Sequence, residues 1–249
     1  MSSSVSPTAQ NGQARGGLYA SLLPYLAPPS AATIAIVIPF RDFVMKSQRQ
    51  LQEPVLHIGL KQSLAVGVKA APVVGGIVGV QMVAQKGIEK MLAKRSSSDN
   101  AQSNSLARIL ASAAVVGVIS SPFLAMFNAR TISQPALEAL KKLTPLKVGA
   151  IVAQETGCVA AIAISNPLSE RAKRLLGENK AVEYGSVFAT GVLGSLAGHP
   201  ANTALTRWQA GKSVENISQL MRGSLTRARG FGTFVLCYKI TNDFFKSLG

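Results

Sequence analysis

The chain has 249 residues, of which 47% are hydrophobic and only 15% charged, whereas soluble domains carry about 25% charged residues. A soluble domain needs a charged surface to stay dispersed in water, so this composition favours a protein embedded in lipid. Its 26 basic residues against 11 acidic ones give a net charge of +15, which suits anionic lipid, nucleic acid or an anionic solute. No basic cluster is interleaved with aromatic rings, so we expect no nucleic-acid partner.

The beginning of the chain, residues 1–16, is predicted to be a disordered polar tail. It is mostly polar and uncharged up to Ala14, without the basic start of a secretory signal or the arginine-rich pattern of a transit peptide. The rest, residues 17–248, is predicted to form a single transmembrane domain.

Long segments without charged residues alternate with shorter ones along this domain. The long segments are residues 16–40, 109–129 and 184–206, and the shorter ones are residues 70–85, 156–169 and 230–238. Each long segment has the roughly 20 residues that a helix needs to cross a bilayer. Because ionisable residues at membrane depth usually face a cavity, we expect the second, fourth and sixth helices to carry polar faces.

Polar connections divide the domain into helix pairs. Residues 95–105 are rich in serine and asparagine, and residues 169–183 are densely charged, as is typical of solvated loops. The predicted repeats are therefore residues 17–92, 105–176 and 182–248.

Each long segment carries a proline near its end, in IPFRDFVMKSQ, SPFLAMFNARTISQ and HPANTALTRWQ. These prolines are Pro39, Pro122 and Pro200. A proline inside a helix removes a hydrogen bond and kinks the helix, and membrane helices tolerate this where neighbours satisfy the freed carbonyl. Three kinks at nearly equal spacing predict pseudo-threefold symmetry.

With these motifs the sequence resembles the mitochondrial carrier family, whose odd-numbered helices carry a proline followed by acidic, basic and glutamine positions. In the third repeat, Asn202, Arg207 and Gln209 follow Pro200 at the family's spacing. In the first repeat, Pro39 is followed by Lys46 and Gln48, while Arg41 occupies the acidic place; the second repeat keeps little beyond Pro122.

The resemblance also concerns the two gates of the carrier family. In the family, acidic and basic residues of the odd helices pair to close one gate, and the glutamine braces the pair. The acid is absent here at all three places, so we expect no strong ion-pair network on that side. On the even helices, Glu170, Lys173 and Tyr238 match positions of the opposite gate.

The resemblance implies an all-α fold of six transmembrane helices in three tandem pairs. It also implies a monomeric, multi-pass solute carrier of the mitochondrial inner membrane, an antiporter working by alternating access without a cofactor. The expected solute is a small anion such as a nucleotide, a phosphorylated compound or a carboxylate. The other expected partner is the bilayer, including anionic lipids such as cardiolipin. The short amphipathic helices that follow the odd helices look truncated.

The family's solute contacts lie on the even helices, and three positions match them here. The first is Lys69, the second is the pair Gly157 and Cys158, and the third is Arg227 or Arg229, between which the sequence does not choose. Cationic side chains bind carboxylate and phosphate, so this set favours an anionic solute. The alternatives are a snorkelling Lys69 and a packing role for Gly157.

Two other functional classes stay open at this point. A carrier-derived membrane protein without transport activity, acting as a scaffold or adaptor, would account for the missing acids and trimmed loops. A soluble helical protein is the third interpretation. We expect no enzyme, because no catalytic or metal-binding arrangement of residues occurs in the sequence.

Overall fold

The computed structural model describes residues 25–55, 59–95, 101–177 and 179–247, and every regular element within them is a helix. The all-α prediction is therefore confirmed, while the predicted tail at residues 1–16 lies outside the described residues. The helices are α1 (25–35), α2 (Phe40–Leu51), α3 (Leu60–Arg95), α4 (Ala101–Thr131), α5 (Ala136–Lys141), α6 (Pro145–Leu176), α7 (Lys180–Ala197), α8 (His199–Gln209), α9 (Ile217–Leu220) and α10 (Ser224–Ser247).

The long helices of the described chain pack side by side in a closed ring. Helix α2 packs on α3, α3 on α4, α4 on α6, α6 on α7, α7 on α10, and α10 back on α2. Helix α8 continues from α7 and contacts α2, α4 and α6. The C-terminal parts of the three proline-containing segments therefore converge at one end of the ring.

The three prolines differ in their effect on the helices. Pro39 lies in a turn over residues 36–39 that separates α1 from α2, and Pro200 is the second residue of α8, just after the break at Gly198. Helix α4, in contrast, continues through Pro122. A proline removes a single helical hydrogen bond, which α4 tolerates at Pro122. At Pro200 the neighbouring Gly198 weakens the helix further, and the helix is interrupted there.

Two helices among the described residues are long and apolar enough to cross a membrane. They are Lys61–Ala84 in α3 and Ala107–Thr131 in α4. The first contains most of the segment 70–85, which the sequence analysis counted among the shorter charge-free segments. The apolar stretch is longer than that segment because it continues upstream of Lys69. The long segment 184–206, predicted as one span, is instead divided at Gly198 into α7 and α8.

The glycine at the α7–α8 junction lets α6 approach closely. A β-carbon at Gly198 would lie 2.6 Å from the carbonyl oxygen of Gln154 and 2.8 Å from the sulfur of Cys158. On the facing helix, a β-carbon at Gly157 would lie 3.2 Å from the carbonyl oxygen of Ala197. This contact fixes the α6 side chains relative to those of α8.

Candidate functional site

At the converging end of the ring, α2 and α8 are joined by buried polar side chains. The ammonium group of Lys46 donates to Oδ1 of Asn202 at 2.8 Å, and Nε2 of Gln50 donates to the Thr203 hydroxyl at 2.8 Å. Arg207 is buried and donates from Nη1 to the carbonyl oxygen of Gln50 at 3.0 Å. The basic residues of these motifs are thus satisfied by neutral oxygens.

Helix α4 joins the same network through its last turns. The hydroxyls of Ser47 and Thr131 are 2.7 Å apart, and the hydroxyl of Thr206 donates to Oδ1 of Asn128 at 3.2 Å. Nε2 of Gln209 donates to the carbonyl oxygen of Ala125 at 3.1 Å. Helix α4 is therefore joined to α2 and α8 by hydrogen bonds between neutral groups.

A cavity of about 160 Å³ lies between the helices, beside this network. Most of its wall is apolar and is formed by the turn after α1 and by α2, α3, α4, α8 and α10. The lining apolar residues are Ile36, Phe43, Val74, Ile77, Val78, Leu124, Phe127, Leu205, Phe231 and Phe234. The polar ones are Lys46, Gln81, Asn128, Gln154, Glu155, Asn202 and Arg227, with Cys158 beside them.

Two cations and one carboxylate face this cavity. Lys46 is 2% exposed and Arg227 is 3% exposed, and Nη1 of Arg227 donates to the carbonyl oxygen of Ser195 at 2.7 Å. Glu155 accepts from Gln81 at 3.2 Å and from Gln154 at 3.1 Å. Within the described part of the chain, neither cation forms a salt bridge with Glu155.

A continuous chain of hydrogen bonds runs along one wall of the cavity. From Lys46 it passes to Asn202, whose Nδ2 donates to Oε1 of Gln154 at 2.8 Å. Gln154 in turn donates to one oxygen of Glu155, and Gln81 donates to the other. The chain therefore links α2, α8, α6 and α3 and holds the carboxylate at a fixed place in the wall.

The predicted contact residues of α6 and α10 separate into those that face the cavity and those that do not. Cys158 and Arg227 line it, whereas Gly157 faces the α7–α8 junction. Arg229 lies outside, with its side chain 62% exposed, and its Nε donates to Asp42 at 2.9 Å. Only one of the two arginines of α10 thus belongs to the cavity.

Lys69 lies away from the central cavity. It is exposed and lines a separate cavity of about 340 Å³, together with Arg130 and Gln134. Its predicted solute contact stays a prediction.

The predicted residues of the opposite gate lie on α6 and α10. Lys173 and Glu170 form an ion pair at 2.9 Å on one helix face. The ring of Tyr238 packs against that of Phe234, and the neighbouring Lys239 pairs with Glu183 of α7 at 2.9 Å. The Lys239–Glu183 ion pair therefore joins α10 to α7.

Sequence reasoning missed several polar residues of the cavity. The motif placed the bracing glutamine at Gln48, which is half-buried, while Gln50 is fully buried in the network. Gln81, Gln154 and Glu155 were not singled out either. The signal for Glu155 is in the sequence: it is a lone acid between the apolar runs VGAIVA and TGCVAAIAIS, and an isolated charge in such a setting usually faces a cavity.

No family model matches the chain, and no curated protein matches it. The resemblance to the mitochondrial carrier family accordingly rests on the motifs described above.

Proposed function

We propose that this protein is a membrane carrier for a small organic anion, with the central cavity as its binding site. The observation that carries the proposal is the pair Lys46 and Arg227, two almost fully buried cations that face one cavity and form no salt bridge with any carboxylate among the described residues. A buried cation is costly unless it is compensated, and a bound anion would supply that compensation.

Placement in a bilayer is supported by where apolar and polar side chains lie. Large apolar side chains such as Ile38, Val68 and Val118 are exposed on the outside of the bundle, while Lys46, Gln50 and Asn202 are buried inside it. Such exposed apolar surface is unusual for a soluble monomer and suits lipid. With the two apolar helices of α3 and α4, it supports a multi-pass membrane protein.

The closed ring of helices suits the carrier architecture of six membrane-spanning helices in three pairs. Each pair would consist of a proline-containing segment and the helix that follows it, related by pseudo-threefold symmetry. The short helices α5 and α9, of six and four residues, occupy the connections after α4 and α8. From the same resemblance we propose that the protein lies in the mitochondrial inner membrane.

The mechanism we propose is alternating access around the fixed cavity. The hydrogen-bonded network of α2, α4 and α8 closes one end, and the Lys239–Glu183 contact belongs to the other. A solute can shift the balance between two states only if it binds them with different affinity. An anion bridging Lys46 of α2 and Arg227 of α10 would provide that difference, because these residues lie on separate helices.

The size of the cavity narrows the class of solute. Sites for drug-sized ligands have volumes of roughly 300 to 1,000 Å³, while this cavity has about 160 Å³. A small carboxylate therefore fits this conformation better than a nucleotide does.

The test is exchange transport by the purified protein in liposomes. Vesicles loaded with unlabelled small carboxylates should take up the labelled compound, and uptake should fall to the background rate when both Lys46 and Arg227 are replaced by glutamine. Replacing the exposed pair Lys142 and Arg229 in the same way is the matched control and should leave uptake unchanged. Absence of uptake by the wild-type protein across a panel of carboxylates and phosphate would contradict the proposal.

A scaffold without transport activity is the second candidate, and the buried hydrogen-bond network of α2, α4 and α8 favours it. The buried Arg207 is held by the carbonyl oxygens of Gln50 and Ser213, a set of bonds that needs no solute to form. A static protein would bind its partners equally well after Lys46 and Arg227 are changed. If the variant with both Lys46 and Arg227 replaced still folds but no longer rescues cells that lack the protein, this candidate is contradicted.

A further inference from the structure

We propose that Arg207 and Lys212 form a removable cap on the C-terminal end of α2, and that release of this cap opens the converging end of the ring. The inference rests on the proposed carrier function and specifies which contact controls one of its two ends. It is carried by the hydrogen bonds at the end of α2, where donors come from two cations that lie 157 and 161 residues further along the chain.

The backbone that follows α2 supplies donors for only some of the carbonyl groups at the end of this helix. The last four carbonyls of a helix have no partner within the helix and carry partial negative charge. The carbonyl oxygen of Arg49 accepts from the N–H of Gln52 at 3.2 Å, and that of Gln48 accepts from the N–H of Glu53 at 2.9 Å. The chain turns in this way because Gln52 is left-handed, with φ 59°. The carbonyls of the last two residues of α2 still need donors.

These two carbonyls, of Gln50 and Leu51, accept from cations of the third proline-containing segment and the connection after it. Nη1 of Arg207 donates to the oxygen of Gln50 at 3.0 Å, and Nζ of Lys212 donates to that of Leu51 at 2.9 Å. Basic side chains at a helix C-terminus bond to its last carbonyls and interact favourably with its dipole. The four carbonyls at the end of α2 are therefore all bonded, two of them by residues outside the helix.

The turn after α8 places both cations at this helix end. Gly211 has φ 74°, a left-handed conformation that favours glycine, and the N–H of Lys212 donates to the carbonyl oxygen of Arg207 at 2.8 Å. Nε of Arg207 donates to the carbonyl oxygen of Ser213 at 2.8 Å. The two cations are thus held side by side by the local backbone, so they bind α2 or leave it together.

Ion pairs do not hold the proline-containing segments together at this end. Among the described residues, no ion pair joins α2, α4 and α8 to one another. Lys212 also pairs with Glu53 at 3.2 Å, but these side chains are 40% and 49% exposed, and exposed pairs contribute little. Hydrogen bonds with a charged donor are stronger than neutral ones. The cap therefore contributes strongly to holding α2 against the α8 segment.

The position of the cap makes it reversible. Gln52 and Glu53, directly after α2, are exposed, so water can bond to the freed carbonyls when α8 moves away. Opening the ring at this end requires α2 and α8 to separate, because both belong to the segments that converge there. The cap must then break, so the contact of Arg207 and Lys212 with α2 sets how often this end is open.

The experiment measures access to the central cavity without any solute. In a protein with Cys158 and Cys237 replaced by alanine, Val74→Cys places a single thiol in the cavity wall. A membrane-impermeant thiol reagent is added to one side or the other of sealed, uniformly oriented vesicles. Labelling of Ser218→Cys, in α9, identifies the side of the converging end.

Replacing both Arg207 and Lys212 by glutamine should open this end. We expect the labelling rate of Val74→Cys from the converging end to rise at least about tenfold, because two hydrogen bonds to charged groups are lost. The rate from the opposite side should fall, since the two ends open in alternation. Replacing Lys141 and Lys142 by glutamine removes two exposed cations from the end of α5 and should leave both rates unchanged.

The outcomes separate the cap from the carrier function, because labelling needs no solute and exchange of carboxylates by the wild-type protein is measured independently. Unchanged labelling in the double variant would overturn the inference and leave the carrier proposal standing. An equal rise from both sides would also overturn it, since that result indicates loosened packing. If the double variant does not fold, Lys212→Gln alone should raise labelling from the converging end by a smaller factor. An unchanged rate in that folded variant would overturn the inference.

Discussion

Arg227 and Arg229 are two residues apart on α10 and meet entirely different surroundings. A helix turns by about 100° per residue, so positions i and i+2 lie on nearly opposite faces. Arg227 is buried beside the cavity, whereas Arg229 pairs with Asp42 on the outside. We expect Arg227→Gln to abolish stabilisation by a bound carboxylate and Arg229→Gln to preserve it. The measurement is the melting temperature in detergent with and without ligand, since a ligand of the folded state raises it. Equal responses of the two variants would contradict the assignment.

Replacing Lys46 is expected to weaken anion binding and, at the same time, to raise the stability of the protein without ligand. In Lys46→Met, anion binding should weaken because one cation is lost. The melting temperature without ligand should rise, by an amount corresponding to about 1 kcal/mol, because a buried ammonium without a carboxylate partner is unfavourable. Oδ1 of Asn202 still accepts from Gln50 at 3.3 Å, so the substitution leaves no unpaired acceptor. Lys142→Met, at an exposed site, is the control. A lower melting temperature of unliganded Lys46→Met would show that the lysine serves the fold.

At the scale of elements, the junction of α7 and α8 depends on a close approach to α6. We expect Gly198→Ala to lower the free energy of unfolding by roughly 1 to 3 kcal/mol, as overpacking typically does, because its β-carbon would collide with the backbone oxygen of Gln154. The control is Gly185→Ala in α7, where a β-carbon meets nothing within 4 Å. That change should raise stability by up to about 1 kcal/mol through helix propensity. Thermal unfolding in detergent measures both, and a neutral Gly198→Ala would contradict the packing described.

The sequence predicted the helical class and the approximate position of the helices, because charge-free segments and polar loops are local features. It did not predict the division of residues 184–206, since hydropathy does not distinguish a continuous helix from one broken at Gly198. It also missed Glu155. The segments were defined as runs without charged residues, so a charged residue inside a helix was taken as the end of a segment. The choice between Arg227 and Arg229 depends on the rotation of α10, which is set by packing against α2 and α7.

At the scale of the whole molecule, the bundle has two distinguishable ends. The connections that follow α2 and α8 meet at one end, where Lys212 contacts Glu53 at 3.2 Å. Gln134, in the connection after α4, donates to the carbonyl oxygen of Gln209 at 3.3 Å, which places it at the same end. The first described residues of α1, the α6–α7 connection and the end of α10 lie at the other end. They are separated from the first end by α1 and α2 in succession, by α6, and by α10, respectively. In a bilayer these two sets of positions would face opposite sides.

Labelling of single cysteines in sealed, uniformly oriented vesicles tests the central claim, that this ring of helices spans a membrane. With Cys158 and Cys237 replaced by alanine, cysteines are introduced at one end at Glu53, Leu137 and Ser218, and at the other end at Leu26, Lys180 and Ser247. We predict that a membrane-impermeant reagent added outside labels one set of three and labels the other only after the vesicles are opened. Labelling of both sets from the same side, or a mixed pattern within one set, would contradict the account.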